Sequence, residues 1–339
     1  MITYTPEQVN DIFERFGLLS VMVIGDVMVD SYLWGKVNRI SPEAPVPVVE
    51  VTRRTNRLGG AANVALNLRA IGARPYLCSV IGKDDKAVVF NRLLKDNNLF
   101  TEGILQSSQR ITTTKFRVIG NNTQMLRVDE EVNTPLESDD HEKFLALIQQ
   151  IINSVRIDAI VFQDYDKGVI TPGLICKIVE LAGEMKIPIV VDPKKRNFSN
   201  YRNVTLFKPN IKELSEGLGV SLDGFTIDKL RQAVRLLHKK LHTALILATL
   251  SDDGIFISRQ HSDGTYSDQH IPAHLRSIAD VSGAGDTVVS LACLALAAGM
   301  TDYEIAAISN LAGGQVCEMV GVVPVDRTKL MSELLNRKL

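Results

Sequence analysis

An excess of charge of either sign is missing from this 339-residue chain, in which 38 basic residues stand against 39 acidic ones for a formal net charge of −1. No global attraction therefore draws it to nucleic acid or to an anionic bilayer, both of which favour clustered positive charge. Local basic clusters still suffice for a small anion. Cysteine is scarce. The four present (Cys78, Cys176, Cys293, Cys317) are widely spaced and form no C-x-x-C pair or Cys/His cluster, so they read as free thiols in a reducing compartment. The longest apolar tract, around Leu291 to Met300, is about half a membrane span. The first residues, Met1-Ile-Thr-Tyr-Thr-Pro, lack the basic stretch and apolar core of a secretory signal. Repeats, low-complexity tracts and long Gly/Ser linkers are also absent. The expectation is a soluble, cytoplasmic protein without nucleic-acid or membrane partners.

What is present is ordinary globular material, 45% apolar and 23% charged, in a chain long enough to bury most of its surface. Val9, Ile12, Phe13 and Phe16 share one face of a helix from Pro6 to Phe16, and Val21-Met-Val-Ile-Gly reads as a strand buried on both faces. Helices and strands then alternate through the middle of the chain. The predicted helices include 61–71, 172–185, 211–218 and 227–241, and the predicted strands 76–81, 159–162, 187–192, 204–208 and 244–248. The C-terminal third reads as helical, with segments at 284–298, 303–320 and from 327 onward. This rhythm predicts an α/β fold, a doubly wound, mostly parallel sheet flanked by helices. Two stretches break it. Val46-Pro-Val-Val-Glu-Val-Thr alternates with period two, as do parts of Thr112–Ile119 and Gln124–Asp129. They predict antiparallel strands of a small β lid, inserted from about 32–57 and 110–130 into a single domain spanning 1–339.

The sharpest chemical signal is Asp280-Val-Ser-Gly-Ala-Gly-Asp-Thr, just before the apolar helix. Gly283 and Gly285 permit a tight turn and close approach of a ligand. The amides that follow lie at a helix N-terminus, where unpaired N–H groups attract an anion. Gly283, Ala284 and Gly285 are thus a candidate anion hole. Asp286 would repel a phosphate there unless it takes a proton from the attacking hydroxyl. The plainer account makes Asp286 and Thr287 a helix cap. No G-K-[ST] follows, so the turn is not a P-loop. Far upstream, Leu58-Gly-Gly-Ala-Ala-Asn opens another helix. The Gly59-Gly60 pair gives freedom of backbone, and Asn63 presents an amide to a sugar hydroxyl.

Together these motifs resemble the ribokinase/PfkB carbohydrate kinase family, and the resemblance covers nearly the whole chain. Gly59 to Asn63 looks like that family's N-terminal signature and Asp280 to Asp286 like its C-terminal one. Lys208-Pro-Asn-Ile-Lys-Glu resembles the N-x-x-E element, which implies that Asn210 and Glu213 hold Mg²⁺ through water. On spacing alone the same pair reads as a capping box. Thr249, Ser251 and Gly254 match the nucleotide-binding turn, and Asn310 with Gly313-Gly314 would flank adenine. The resemblance implies ATP as co-substrate and a homodimer through the lids, whose exposed β edges invite pairing.

Within the family, Gly25-Asp-Val-Met-Val-Asp-Ser-Tyr-Leu-Trp-Gly, Arg39-Ile-Ser-Pro-Glu-Ala-Pro, Gln163-Asp-Tyr-Asp-Lys-Gly and Val191-Asp-Pro-Lys are similar to heptose-7-phosphate kinases. Those enzymes phosphorylate the anomeric oxygen on the way to ADP-heptose and the lipopolysaccharide inner core. Many are fused to a nucleotidyltransferase marked by H-x-G-H, which this sequence lacks, so the expectation is the kinase alone. By this resemblance Asp26, Asp30, Asn63 and Asp164 hold sugar hydroxyls, since a bare carboxylate accepts several hydroxyl protons. Asp26 ends a strand at the crevice of an open sheet, whereas Asp30 reads equally as the start of a lid turn. Lys194, in the basic run Lys194-Lys195-Arg196, is a candidate for the distal phosphate of the sugar. The alternatives are a related kinase for ribose, fructose or a hexose phosphate, and a non-catalytic sugar or nucleotide sensor.

Overall fold

The computed structural model describes residues 3–274 and 276–336. Helix α1 (Pro6–Leu18) starts at a Thr5 capping box and buries Val9, Ile12, Phe13 and Phe16, the i, i+3, i+4, i+7 face of an amphipathic helix. Strand β1 (Ser20–Gly25) follows, then β2 (Val27–Ile40), β3 (Pro47–Gly60), α2 (Ala61–Ile71), β4 (Arg74–Gly82), α3 (Asp85–Asp96) and β5 (Ile104–Ser107). Next come β6 (Thr114–Gly120), β7 (Thr123–Glu130), α4 (Ser138–Ser154), β8 (Ala159–Gln163), α5 (Pro172–Met185), β9 (Ile189–Asp192), β10 (Leu206–Phe207), α6 (Ile211–Leu218) and α7 (Ile227–Leu241). The chain continues with β11 (Leu245–Thr249), β12 (Ile255–Gln260), β13 (Tyr266–Ile271), α8 (Ala284–Ala297), α9 (Asp302–Val316) and α10 (Arg327–Asn336).

Nine strands form the main sheet, in the order β13-β12-β11-β10-β9-β8-β1-β4-β5. Strand β1 shows why both faces are covered. Val21 and Val23 join the core beneath α1, α2, α8 and α9, while Met22 and Ile24 join the core beneath α4, α5 and α7, as the period-two pleat requires. The chain leaves β1 toward β4 on one side and later toward β8 on the other. The strand order thus reverses beside β1, at the C-terminal ends of β1 and β8, where open α/β sheets place ligands. Gly25-Asp26 and Gln163-Asp164 stand there.

Five expectations need correction. The C-terminal third is not only helical, because β12 and β13 form an antiparallel hairpin at the sheet edge. Helix α9 ends at Val316, not near 320. The four-stranded lid, ordered β3-β2-β6-β7, is antiparallel at both edges but parallel at its centre, where β2 pairs with β6. Its first arm is also longer than 32–57, running from Val27 and returning to Gly60. Asp30 consequently lies inside β2, opposite Arg57, and starts no turn.

Candidate active site

Helix α8 is buried on all sides from Asp286 to Ala295, which its apolar sequence permits and which fixes its N-terminus rigidly. Gly283 precedes it with φ +84°, a region L side chains avoid, and an added Cβ would lie 3.0 Å from Asn63 Nδ2. Only glycine serves here. The amides of Gly285 and Asp286 donate to no described residue, while that of Ala284 closes a turn onto Val281 O at 3.2 Å. Asp286 is 3% exposed. Its Oδ2 accepts from Asn63 Nδ2 at 2.8 Å, and its Oδ1 from Tyr165 Oη at 2.7 Å and Gln163 Nε2 at 3.1 Å. Burial raises the carboxyl to about 6 against the opposing donors Asn63 and Tyr165. That value suits a general base at neutral pH.

The sugar-side candidates meet different fates. Gly59 and Gly60 close the ladder opposite Met28 and Val27. Gly60 has φ +63°, and a Cβ would strike Asp26 O at 2.3 Å. Asn63, one turn into α2, reaches the carboxylate of Asp286 rather than open space. Asp30 is paired with Arg117 across β2 and β6. Asp26 accepts three backbone amides, those of Tyr165 (2.9 Å), Lys167 (3.1 Å) and Val169 (3.1 Å). Asp164 accepts from the Asp166 amide at 2.8 Å, Asn197 Nδ2 at 3.0 Å and Tyr201 Oη at 2.8 Å. Burial raises both carboxyls, Asp164 to about 6 with Asp26 adding to the shift. With their oxygens engaged by protein donors, Asp26 and Asp164 fasten the loop after β8, a task the motif alone did not reveal.

A cavity of about 770 Å³ opens beside Asp286 and is lined by Lys194, Asn210, Glu213, Thr249, Ser251 and Gly254. Gly283, Ala284, Gly285, Asn310 and Gly313 also line it, as do Tyr165, Asp192 and Lys208. Asn310 Nδ2 donates to Pro272 O at 2.8 Å, which ties α9 to the segment after β13. Asn210 and Glu213 do form a reciprocal cap on α6, at 2.8 and 2.9 Å, and still face the cavity. The Asn210 amide oxygen and both Glu213 oxygens already accept from the cap amides and Lys194, so they suit Mg²⁺ only through its retained waters, with further oxygens supplied by phosphate. Lys194 is bonded to Glu213, with its ammonium 5.8 Å from the Tyr165 ring centroid. It is therefore grouped with Asn210 and Glu213 on the cavity wall.

Four residues escaped the sequence reading although the motifs contained them. Tyr165 and Gln163 hold the base. Asp192 accepts from Gln163 Nε2 at 3.1 Å and pairs with Lys208 at 3.2 Å, both nearly fully buried. A Cβ at Gly285 would lie 3.8 Å from Lys208 Nζ, so this ammonium stands beside the Gly283–Gly285 turn. The signal was a buried polar cluster at strand ends, which spacing does not display.

A doubly wound sheet with a four-stranded lid rooted at its switch point, and a cavity at the C-terminal ends of β9 to β11, is the ribokinase-like kinase fold. Phosphofructokinase-2 from Escherichia coli, in complex with substrates and products, superposes with a TM-score of 0.75 at 18% identity, over 94% of this chain and 99% of that one. Ribokinase from Arabidopsis thaliana, complexed with ribose and ATP, gives 0.68 at 16% identity over 94% and 99%. The sequence model of the pfkB family carbohydrate kinases matches residues 18–328, and the chain belongs to that family of ATP-dependent sugar kinases. Among curated relatives, the bifunctional protein HldE of Geobacter metallireducens is 37% identical over 97% of this chain and 65% of its own length. HldE of Magnetococcus marinus is 40% identical over 93% and 64%. The chain thus spans about 65% of the relatives it matches.

Proposed function

We propose that this chain transfers the γ-phosphoryl group of ATP to the anomeric hydroxyl of D-glycero-D-manno-heptose 7-phosphate, giving the 1,7-bisphosphate used for ADP-heptose and the lipopolysaccharide inner core. The observation that carries the phosphoryl transfer is Asp286, a buried carboxylate raised to about 6 beside two unpaired amides at the mouth of the cavity. The heptose rests on the resemblance of the Gly25–Gly35, Arg39–Val49 and Gln163–Gly168 segments to heptose-7-phosphate kinases, and on 35–40% identity to proteins named HldE.

Asp286 takes the proton from the acceptor hydroxyl as the bond to phosphorus forms. The amides of Gly285 and Asp286, with Lys208 beside them, receive charge developing on the phosphoryl oxygens, where positioning and electrostatics supply most of the acceleration. Asn210 and Glu213 would hold Mg²⁺ through water, and the ion when bound neutralises charge on the ATP oxygens. Thr249, Ser251, Gly254, Asn310 and Gly313 bound the space for the rest of the nucleotide. Arg57 donates to Val322 O at 3.0 Å, next to Gly283. With Arg117 it brings positive charge from the lid toward the acceptor side, where the distal phosphate belongs. Two copies pair through their lids, whose edges β3 and β7 are unpaired and whose surface exposes Ile40, Val51, Met125, Leu126 and Val128. The chain works in the cytoplasm.

The test is ATP consumption by the purified chain against a panel of sugars, with the product identified by phosphorus NMR. Heptose 7-phosphate should have the highest kcat/KM. Comparable values for ribose or fructose overturn the sugar, and saturable binding without turnover favours a sensor.

A further inference from the structure

We propose that Tyr165 is a positioning residue for this phosphoryl transfer, holding Asp286 through Oδ1 so that Oδ2 alone faces the acceptor hydroxyl. The inference rests on the assignment of Asp286 as the base. An ionised carboxylate accepts at about four lone-pair positions. Tyr165 Oη and Gln163 Nε2 occupy two on Oδ1, and Asn63 Nδ2 occupies one on Oδ2. The remaining position, on Oδ2, receives no donor among the described residues. The acceptor hydroxyl then meets the base at one place, with the orientation in-line transfer requires.

The loop that carries Tyr165 is secured at unusual cost. Asp26 and Asp164 are each 1% exposed, and a buried charge is expensive unless it is fully hydrogen-bonded. Asp26 accepts all three of its bonds from the amides of residues 165, 167 and 169, and Asp164 accepts one from the amide of residue 166 and two from Asn197 and Tyr201. A buried carboxylate that gives all of these bonds to one short loop makes sense if the placement of the loop's Tyr165 matters. Burial and the neighbouring Asp286 charge push the Tyr165 phenol well above its ordinary range, so it stays a donor at working pH. The other charged groups around the Asp286–Tyr165 pair are Asp192, Lys208 and, from the lid, Asp30, with Lys194 across the tyrosine ring, while α2 contributes the neutral Asn63. Removing the phenolic oxygen leaves all of these in place.

The experiment is the pH profile of kcat/KM for Tyr165→Phe, using ATP and heptose 7-phosphate, or whichever sugar the wild type phosphorylates. Losing a donor to the carboxylate raises its pKa, so the acidic limb should move up by about one unit. The loss relative to wild type should then be about fivefold greater at pH 6 than at pH 8.5. Asp26→Asn should displace the limb in the same direction, and the double variant should move it no further. A merely structural tyrosine lowers the whole profile evenly and leaves the limb in place, which overturns the proposal. Turnover surviving Asp286→Asn overturns the base itself. An inactive Asp286→Asn with an unmoved limb in Tyr165→Phe overturns the tyrosine's role alone.

Discussion

Asp286 caps no helix, since Gly283 is the N-cap of α8 and receives no side-chain bond, and replacing it by asparagine separates a proton-accepting role from a purely structural one in two independent observables. Asparagine keeps the shape and the oxygen that Gln163 and Tyr165 need, and its NH₂ faces Asn63, whose amide can turn to accept. It cannot take a proton at neutral pH, so kcat should fall by about 10²–10⁴-fold. Stability should move the other way. The buried carboxyl is raised from 3.8 to about 6, so the folded state binds its proton more tightly than the unfolded chain does. Ionised Asp286 therefore costs the fold roughly 3 kcal/mol at pH 7. Asparagine resembles the protonated acid and should recover about 2–3 kcal/mol of this at pH 7. The gain should shrink as pH falls through 6 and vanish below the unfolded value. Urea unfolding at several pH values and a coupled ATPase assay measure the two effects. A purely structural Asp286 would lose no rate. A folded, no more stable Asp286→Asn with near wild-type turnover would falsify the catalytic reading.

Lys208→Met strands Asp192 as a buried, uncompensated charge, and should destabilise the protein by about 3–5 kcal/mol in urea unfolding; a cost below about 1 kcal/mol would mean that the pair is hydrated in solution. Saturating sugar should slow amide exchange in residues 46–52 and 112–119, and equal exchange with and without sugar removes lid closure from the mechanism. Leu126→Asp, on the exposed lid surface, should convert a dimer to monomers by sedimentation; an unchanged mass moves the interface away from the lid.

Much of the body was legible because local rules and tertiary demands agree there. Helices α2, α5, α6 and α7 begin and end at the residues their caps and apolar spacing predict. Hairpin β12–β13 was not legible, since β13 is Tyr-Ser-Asp-Gln-His-Ile, a polar edge strand with no apolar alternation. The parallel pairing of β2 with β6 joins segments about as far apart as Asp30 and Lys115, and no local pattern encodes a partner at that distance. At the site, Asp286, Asn63 and the glycines stand out because backbone geometry demands those residue types at that spacing. Tyr165, Gln163 and Lys208 do not, because their task exists only once the ends of β8 and β10 meet the start of α8. Asp26 shows the converse: its residue type suggests a ligand for sugar, while the three loop amides it accepts could not be read from the motif.

The two long lid strands leave and rejoin the body at one joint, where the Ala61 amide donates to Asp26 O at 2.9 Å. From there β2 runs 14 residues, roughly 45 Å if straight. It behaves as a lever with its fulcrum at the catalytic end. Each degree turned at the joint carries the tip near Ile40 about 0.8 Å, but Asp30 only about 0.2 Å. A sub-ångström shift at Asp30 is thus magnified several-fold at the far end of the arm. In reverse, whatever grips the tip sets the position of Asp30 with fine mechanical advantage.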